Sequence, residues 1–406
     1  MLFGIVRSEA GEFPVIDGIT RLLIDELRAP LVDLLRRGRP RDALKVALDV
    51  PFYDRGGSAI NFATRLVYPR GAGVARWCAD RVKRHVYRIL TDSTASFTDT
   101  VRRLWSPRWA EWQINRFAMP TFLPQFALAT LTMSDSPVLD FGSGVGHGTF
   151  LLSRESPSRL VCADYSFSSL YLARKYFVPD AEFVCLDGDF PLPFASGYFG
   201  TVYSSDTLHC LDSKVLLANE FKRVLQSSGR IVLPHLHNAK SSVRFGKSLS
   251  ARGYASLFEG LRHRIVPEEE VVRDLVDHGV LDLDRTYAAA ALDKAVNGFC
   301  LVAAYDAGVL RRYTGLWEHR LSRLQAPMLN PIYEVKRNGK ECAVTRRRLL
   351  NPGPALPDTD VLPDSAVIPL EDMNGQALRR LAAADPVCYG ELVRKLIVVD
   401  GPARFG

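Results

Sequence analysis

The tightest constraint on the fold is the stretch 138–150, VLDFGSGVGHGTF, in which an apolar run reaches Asp140 and glycine then takes every second position from Gly142 to Gly148. Such a run, followed by glycines and a helix-forming segment, reads as a strand, a sharp turn and a helix. Glycine lets the turn reverse tightly and approach a ligand within contact distance, and the first turn of the helix points free N–H groups at it. Three ligand classes use this device. A P-loop ends in Gly-Lys-Ser or Gly-Lys-Thr, whereas His147, Gly148 and Thr149 stand here, which sets that class aside. A dinucleotide fold places an acid on the ribose about 20 residues later. Asp164, closing the run RLVCAD, occupies that place, but a carboxylate there suits the ribose of any adenosine-bearing cofactor. The glycines alone leave the choice open.

From Pro137 onward, short apolar runs alternate with helical segments, the pattern of βαβ units and a mostly parallel sheet. Strands are expected at PVLDF, RLVCAD, AEFVCL, FGTVYSS and RIVLPHL, with helices near 148–154, 168–176 and 214–225. PEEEVVRDLVDHG follows as a helix with an acidic first turn and a closing glycine, both favoured by helix-end electrostatics and geometry. LDLDRTY and GFCLVAAYD are expected as strands six and seven, completing the sheet near Asp306. Before the core, 19–50 and 73–104 carry apolar residues three and four apart, so residues 1–130 read as a helical, basic extension to a core at 131–306. After it, 307–406 reads as a C-terminal α+β extension, with a β-hairpin about Asn338-Gly339 and a final helix at NGQALRRLAAA.

The segment CLDGDFPLPFASGYFGTVYSSDTLHCLDS resembles the third and fourth motifs of class I S-adenosylmethionine-dependent methyltransferases of the methyltransferase type 11 kind. The match runs through Asp187 or Asp189, Leu192-Pro193-Phe194, Ser196-Gly197-Tyr198-Phe199 and Leu208-His209-Cys210-Leu211. EFKRVLQSSGRIVLP is similar to their turn into strand five. Gly200, Cys210 and Ser227-Ser228 depart from the usual residues at their positions. The resemblance covers about 137–306 and implies an α/β fold with a seven-stranded Rossmann-like sheet whose last strand is antiparallel.

It also implies S-adenosylmethionine as the cofactor. Asp140, with the backbone of Gly142, Ser143, Gly144 and Gly146, would hold the methionine part. Asp164 would take the ribose hydroxyls, while Asp187 and Gly188, or Asp189 in competition, would read the adenine edge. Tyr165 and Ser205 complete the expected cofactor contacts. Methyl transfer from a sulfonium needs placement and exclusion of water more than a nucleophilic residue. Where the acceptor carries a proton, histidine is the natural base. His209 follows strand four, and His235 and His237 follow strand five, at the edge where ligands bind in such sheets; these three are the catalytic candidates. His235-x-His237 with Asp206 offers imidazoles and a carboxylate, but two closely spaced histidines do not establish a metal site, and none is expected from sequence. His147 reads as a spacer in the loop, and Phe117, Phe122 and Phe126 as core or lid residues.

The formal charge of +7 lies in the first 130 residues, with 20 Lys+Arg against 13 Asp+Glu, while the remainder carries 32 of each. Such a segment suits an anionic partner or simply a solvated helical surface. The expected acceptor is a small-molecule or carrier-linked metabolite. The alternatives are an RNA methyltransferase using the basic extension, a binding protein that has kept the fold without activity, and a nicotinamide-dependent oxidoreductase. No recognisable RNA-binding module or Asn-Pro-Pro-Tyr type motif is present, and SSDT follows strand four. Seven scattered cysteines without a CxxC pair read as free thiols. With no basic-then-apolar leader and no uninterrupted apolar span, the expectation is a cytoplasmic protein.

Overall fold

Strand residues in the core alternate between two faces, and each face closes a separate apolar core. Val138, Cys162, Val232 and Val302 point into one, whereas Leu139, Val161, Ile231 and Leu301 point into the other. This is the period-two side-chain rule applied to strands buried on both sides. The computed structural model describes residues 2–48, 74–116, 122–133, 135–156, 159–242, 246–350 and 361–406.

The main sheet contains β1 (Gly4–Ser8), β2 (Gly11–Ile16), β3 (Ile19–Arg21), β4 (Val138–Phe141), β5 (Leu160–Asp164), β6 (Glu182–Cys185), β7 (Phe199–Tyr203), β8 (Leu225–Leu236) and β9 (Arg262–Pro267). After the two-residue β10 (Leu281–Asp282), β11 (Phe299–Ala304) completes it. The spatial order is β1-β2-β3-β6-β5-β4-β7-β8-β11-β9, ten strands in all. β6, β5, β4, β7 and β8 run parallel, and β11 is antiparallel to both β8 and β9. The chain leaves β4 toward β5 on one side and returns as β7 on the other, so the carboxyl end of β4 is the switch point where ligands bind in open α/β sheets.

Three sequence expectations are corrected. The N-terminal region is not wholly helical: β1, β2 and β3 form an antiparallel meander, and β3 joins β6 in parallel, extending the sheet beyond seven strands. The signal was present in Asp17-Gly18, both at positive φ (49° and 79°) between the paired residues Ile16 and Ile19, an Asp-Gly hairpin turn. The apolar residues of 19–24 had blended into the helical pattern of the segment that follows. Second, the sixth strand is β9, not LDLDRTY, of which only Leu281–Asp282 pairs with β12 (Arg312–Tyr313). β9 is an edge strand whose first half, Arg262, His263 and Arg264, is not buried, and charged residues of that kind mask strand character while protecting an edge. Third, the N-terminal helices are no detached appendage, because Leu31, Leu44, Phe97, Val101, Phe122 and Phe126 share one core with Val138 and Cys162.

On the other face, the helix Lys214–Val224 packs Leu217, Phe221 and Val224 beneath the sheet, beside Tyr254 and Leu257. The helix Glu268–His278 has its three glutamates in the first turn and ends at Gly279 with φ 64°, as its sequence implied. The C-terminal region builds a further core around Tyr333, Val344, Leu378 and Val393. There β14 (Tyr333–Asn338) and β15 (Glu341–Arg346) form the expected hairpin. No helix among the described residues is long and apolar enough to cross a membrane. Phe117 and the greater part of the Pro-rich link lie outside the described residues.

Candidate active site

The glycine loop leaves β4 in a conformation that only some of its glycines require. Gly142, Gly144 and Gly146 have φ of 74°, 54° and 100°, a region unfavourable to residues with a Cβ. A Cβ on Gly142 would lie 2.1 Å from Thr207 Oγ1, and one on Gly146 2.9 Å from Ala173 Cβ. Gly148 is helical and has 3.5 Å to its nearest neighbour. His147 opens the helix His147–Glu155 and packs against the rings of Phe97 and Phe177 at 5.8 and 4.8 Å. Burial holds its imidazole down at about 3, so it stays neutral.

Two carboxylates flank this loop. Asp140 is 2% exposed and accepts a 2.5 Å hydrogen bond from Thr149 Oγ1. Burial, with a smaller push from Asp164, raises its carboxyl to about 7 against the pull of the Thr149 hydroxyl. Asp164, ending β5, accepts the N–H of Gly144 on Oδ2 and that of Ser166 on Oδ1, both at 2.8 Å. Burial raises its pKa while those N–H donors lower it. Asp140, Gly142, Ser143, Gly144, Ser205 and Asp206 line a single cavity, closed from the N-terminal helices by Trp112, Gln113, Arg116 and Gln125. Within it, the Oγ atoms of Ser143 and Ser205 are buried with no protein partner. Buried hydroxyls are ordinarily paired, so the cavity fits a ligand that brings polar groups to them.

Neither of the two competing acids, Asp187 and Asp189, lines that cavity, and they differ in their partners. Asp187 Oδ1 accepts the N–H of Asp189 at 3.0 Å. Asp189 Oδ1 accepts the N–H groups of Asp212 at 3.0 Å and Ser213 at 2.6 Å, just before the helix Lys214–Val224. Gly188 is pressed against β4, where a Cβ would lie 2.5 Å from Phe141 Cζ. Tyr165, which follows Asp164, is 52% exposed.

All three candidate histidines converge on one carboxylate. The Nε2 atoms of His209, His235 and His237 lie 3.6, 3.7 and 3.5 Å from Asp206 Oδ1, and Arg116 approaches Asp206 Oδ2 at 3.6 Å. Burial pushes the Asp206 carboxyl up, but His235, His237, Arg116 and His209 together hold it well below the usual range. His235 Nδ1 lies 2.7 Å from Glu268 Oε2. Burial lowers the His235 pKa, yet Glu268 and Asp206 outweigh it and the net shift is upward. Burial brings His209 down to about 4.

Sequence reasoning did not single out Trp112, Arg116, Gln125, Thr149, Thr207 or Glu268. Trp112 and Arg116 belong to the Trp-rich segment before the core, and the Arg116 guanidinium sits 4.6 Å from the Trp112 ring. Glu268 was taken as an acid at a helix start, but it is 2% exposed and turned toward His235. Phe122 and Phe126 are core residues.

A family model described as a methyltransferase domain matches residues 139–233. The centre of this chain is a methyltransferase domain. The match runs from β4 almost to the end of β8 and takes in the glycine loop, Asp164, Asp187, Asp206 and His209, while His235 and His237 lie just beyond it. An S-adenosylmethionine-dependent methyltransferase from Aquifex aeolicus is 16% identical, with 48% of this chain and 96% of that one covered and a TM-score of 0.34. Geranyl diphosphate C-methyltransferase from Streptomyces coelicolor, solved with Mg2+, geranyl diphosphate and S-adenosyl-L-homocysteine, is 16% identical over 44% of this chain and 74% of that one, with a TM-score of 0.32. No curated protein matches the chain.

Proposed function

We propose that the protein transfers a methyl group from S-adenosylmethionine to a small-molecule or carrier-linked acceptor that enters beside Asp206. The observation that carries this reading is one cavity that joins the left-handed glycine turn, the buried Asp140 and two unpartnered serine hydroxyls to the carboxylate on which three histidines converge. When bound, the cofactor supplies an electrophilic methyl group on a positively charged sulfur. Asp140 and the backbone of Gly142, Ser143, Gly144 and Gly146 hold its amino-acid end, with Ser205 alongside. Asp164 receives the ribose; Asp187 and Gly188, with Tyr165 nearby, take the adenine. Asp189 remains the competitor for that edge; like Asp164, it accepts two backbone N–H groups.

Trp112 and Arg116 close the cavity and exclude water from the transfer, which strengthens electrostatic interactions inside it. His209, His235 and His237 stand where a proton leaving the acceptor would be taken up. Part of the basic N-terminal region is paired internally, five arginines against four carboxylates: Arg7 and Arg36 with Glu12, Arg37 with Asp33, Arg39 with Asp42 and Arg103 with Asp92.

The test is calorimetric titration and thermal denaturation with S-adenosylmethionine, S-adenosylhomocysteine and NAD. Both adenosyl compounds are expected to bind and raise Tm, by an amount equivalent to about 2.7 kcal/mol at one hundred times Kd, while NAD does neither. Absence of heat and of a Tm shift with both adenosyl compounds overturns the reading. An untargeted metabolite screen with labelled cofactor then identifies the acceptor.

A further inference from the structure

We propose that Asp206, His235 and His237 form a binding site for a divalent transition-metal cation at the rim of the cofactor cavity. The spacing is the first reason. The imidazole Nε2 atoms stand 3.5 to 3.7 Å from Asp206 Oδ1. Ligands on a cation at about 2.0–2.2 Å, arranged tetrahedrally, are separated by about 3.3–3.6 Å. The two carboxylate–imidazole spacings match that range, and the ligating atoms of all three residues lie within 4.8 Å of one another, so the widest pair closes by rotation of a side chain when one cation is shared.

Support around the ligands is the second reason. His235 faces Glu268 through Nδ1 at 2.7 Å, and Glu268 is buried. A carboxylate that takes the Nδ1 proton fixes the tautomer and leaves the Nε2 lone pair facing Asp206, which is how metal-binding histidines are commonly oriented. Arg116 approaches Oδ2 of Asp206, leaving Oδ1 toward the imidazoles. Asp206 and His235 also hold φ of 56° and 57°, a strained backbone that tends to be kept where it aims a side chain. His209, whose Nε2 is 3.6 Å from the same oxygen and whose ring meets that of His237 at 4.5 Å, stands beside the three.

Two imidazoles and one carboxylate select zinc, iron, cobalt or nickel over magnesium and calcium, which prefer oxygen ligands. Three protein ligands leave a coordination position open, and Asp206 itself lines the cofactor cavity. An acceptor with an ionisable oxygen, such as a phenol, an enol or a hydroxy acid, is the class this position would take. That last step rests on the methyl-transfer reading; the cation site does not.

The experiment uses the full chain, stripped with a chelator and titrated with Zn2+ and Co2+ without cofactor, by calorimetry and by the visible spectrum of bound Co2+. One equivalent is expected to bind, with a tetrahedral or five-coordinate cobalt spectrum and no heat from Mg2+. His237→Gln and Asp206→Asn should abolish the spectrum, and Glu268→Gln should weaken affinity about 10–100-fold. Far-UV circular dichroism checks that each variant is folded, and Glu268→Gln, which removes no ligand, serves if the ligand variants do not fold. No binding of either cation, or binding unchanged in folded His237→Gln and Glu268→Gln chains, overturns the site. Zn2+ binding without any heat from S-adenosylmethionine leaves the cation site standing and removes the methyl-transfer reading; the reverse result removes only the cation site.

Discussion

Thr149, in the first turn of the helix that follows the glycine loop, donates its hydroxyl to Asp140 Oδ2 at 2.5 Å, a hydrogen bond to a carboxyl whose pKa burial raises to about 7. The sign of the linkage follows. With its folded pKa raised from 3.8 to about 7, Asp140 binds more protons folded than unfolded across that window, so it subtracts stability as pH rises through it. A cationic amino-acid group arriving at Asp140 favours the ionised form. Affinity for S-adenosylmethionine is therefore expected to increase between about pH 6 and 8, with proton release visible as a dependence of binding heat on buffer. Asp140→Asn should weaken binding and flatten the profile. A wild-type affinity independent of pH across that range counts against the assignment.

The glycine loop makes a prediction that its repeating pattern alone does not. Gly142→Ala places a Cβ against Thr207 at a positive φ and is expected to reduce cofactor affinity at least tenfold and to lower Tm. Gly148→Ala meets nothing closer than 3.5 Å inside a helix, where alanine is favoured by about 0.5–1 kcal/mol, so Tm should hold or rise. Equal effects from the two substitutions would mean that loop conformation does not govern binding.

Asp187 and Asp189 are expected to separate cleanly. Asp189→Ala removes the acceptor for two N–H groups at a helix start and should cost about 1 kcal/mol in denaturant unfolding, with cofactor affinity retained. Asp187→Ala should lower cofactor affinity and leave stability nearly unchanged. The opposite outcome would exchange their roles.

Much of the core was legible because a parallel sheet gathers its strand ends at one edge. Asp140, Asp164, Asp187, His209 and His235 each follow or close an apolar run, so their neighbourhood could be read from strand order before any coordinates. What the chain does not spell out is pairing across elements. Glu268 meets His235 across 33 residues, and Arg116 reaches Asp206 from just beyond the helix Pro107–Ile114, ahead of the whole core. Nothing local in either segment marks the partner. β9 was hidden by its edge-strand charges, and β3 because Ile19 sits just ahead of a helical apolar pattern.

The N-terminal meander is built into the main sheet. Ile16 and Ile19 are wholly buried on either side of the Asp17-Gly18 turn, and β3 pairs Ile19, Thr20 and Arg21 with Phe183, Val184 and Cys185 of β6. Without β3, β6 would present its unpaired backbone as a sheet edge, and the core shared with the N-terminal helices would be opened. Ile19→Ala is expected to destabilise the protein by about 2–5 kcal/mol, seen as a lower midpoint of one cooperative transition that fluorescence and circular dichroism report together. Were the N-terminal region a separately folding appendage, the substitution would move a minor early transition and leave the main one in place. Because β6 leads directly to Asp187 and Gly188, cofactor affinity should weaken at temperatures where the wild type is still fully folded.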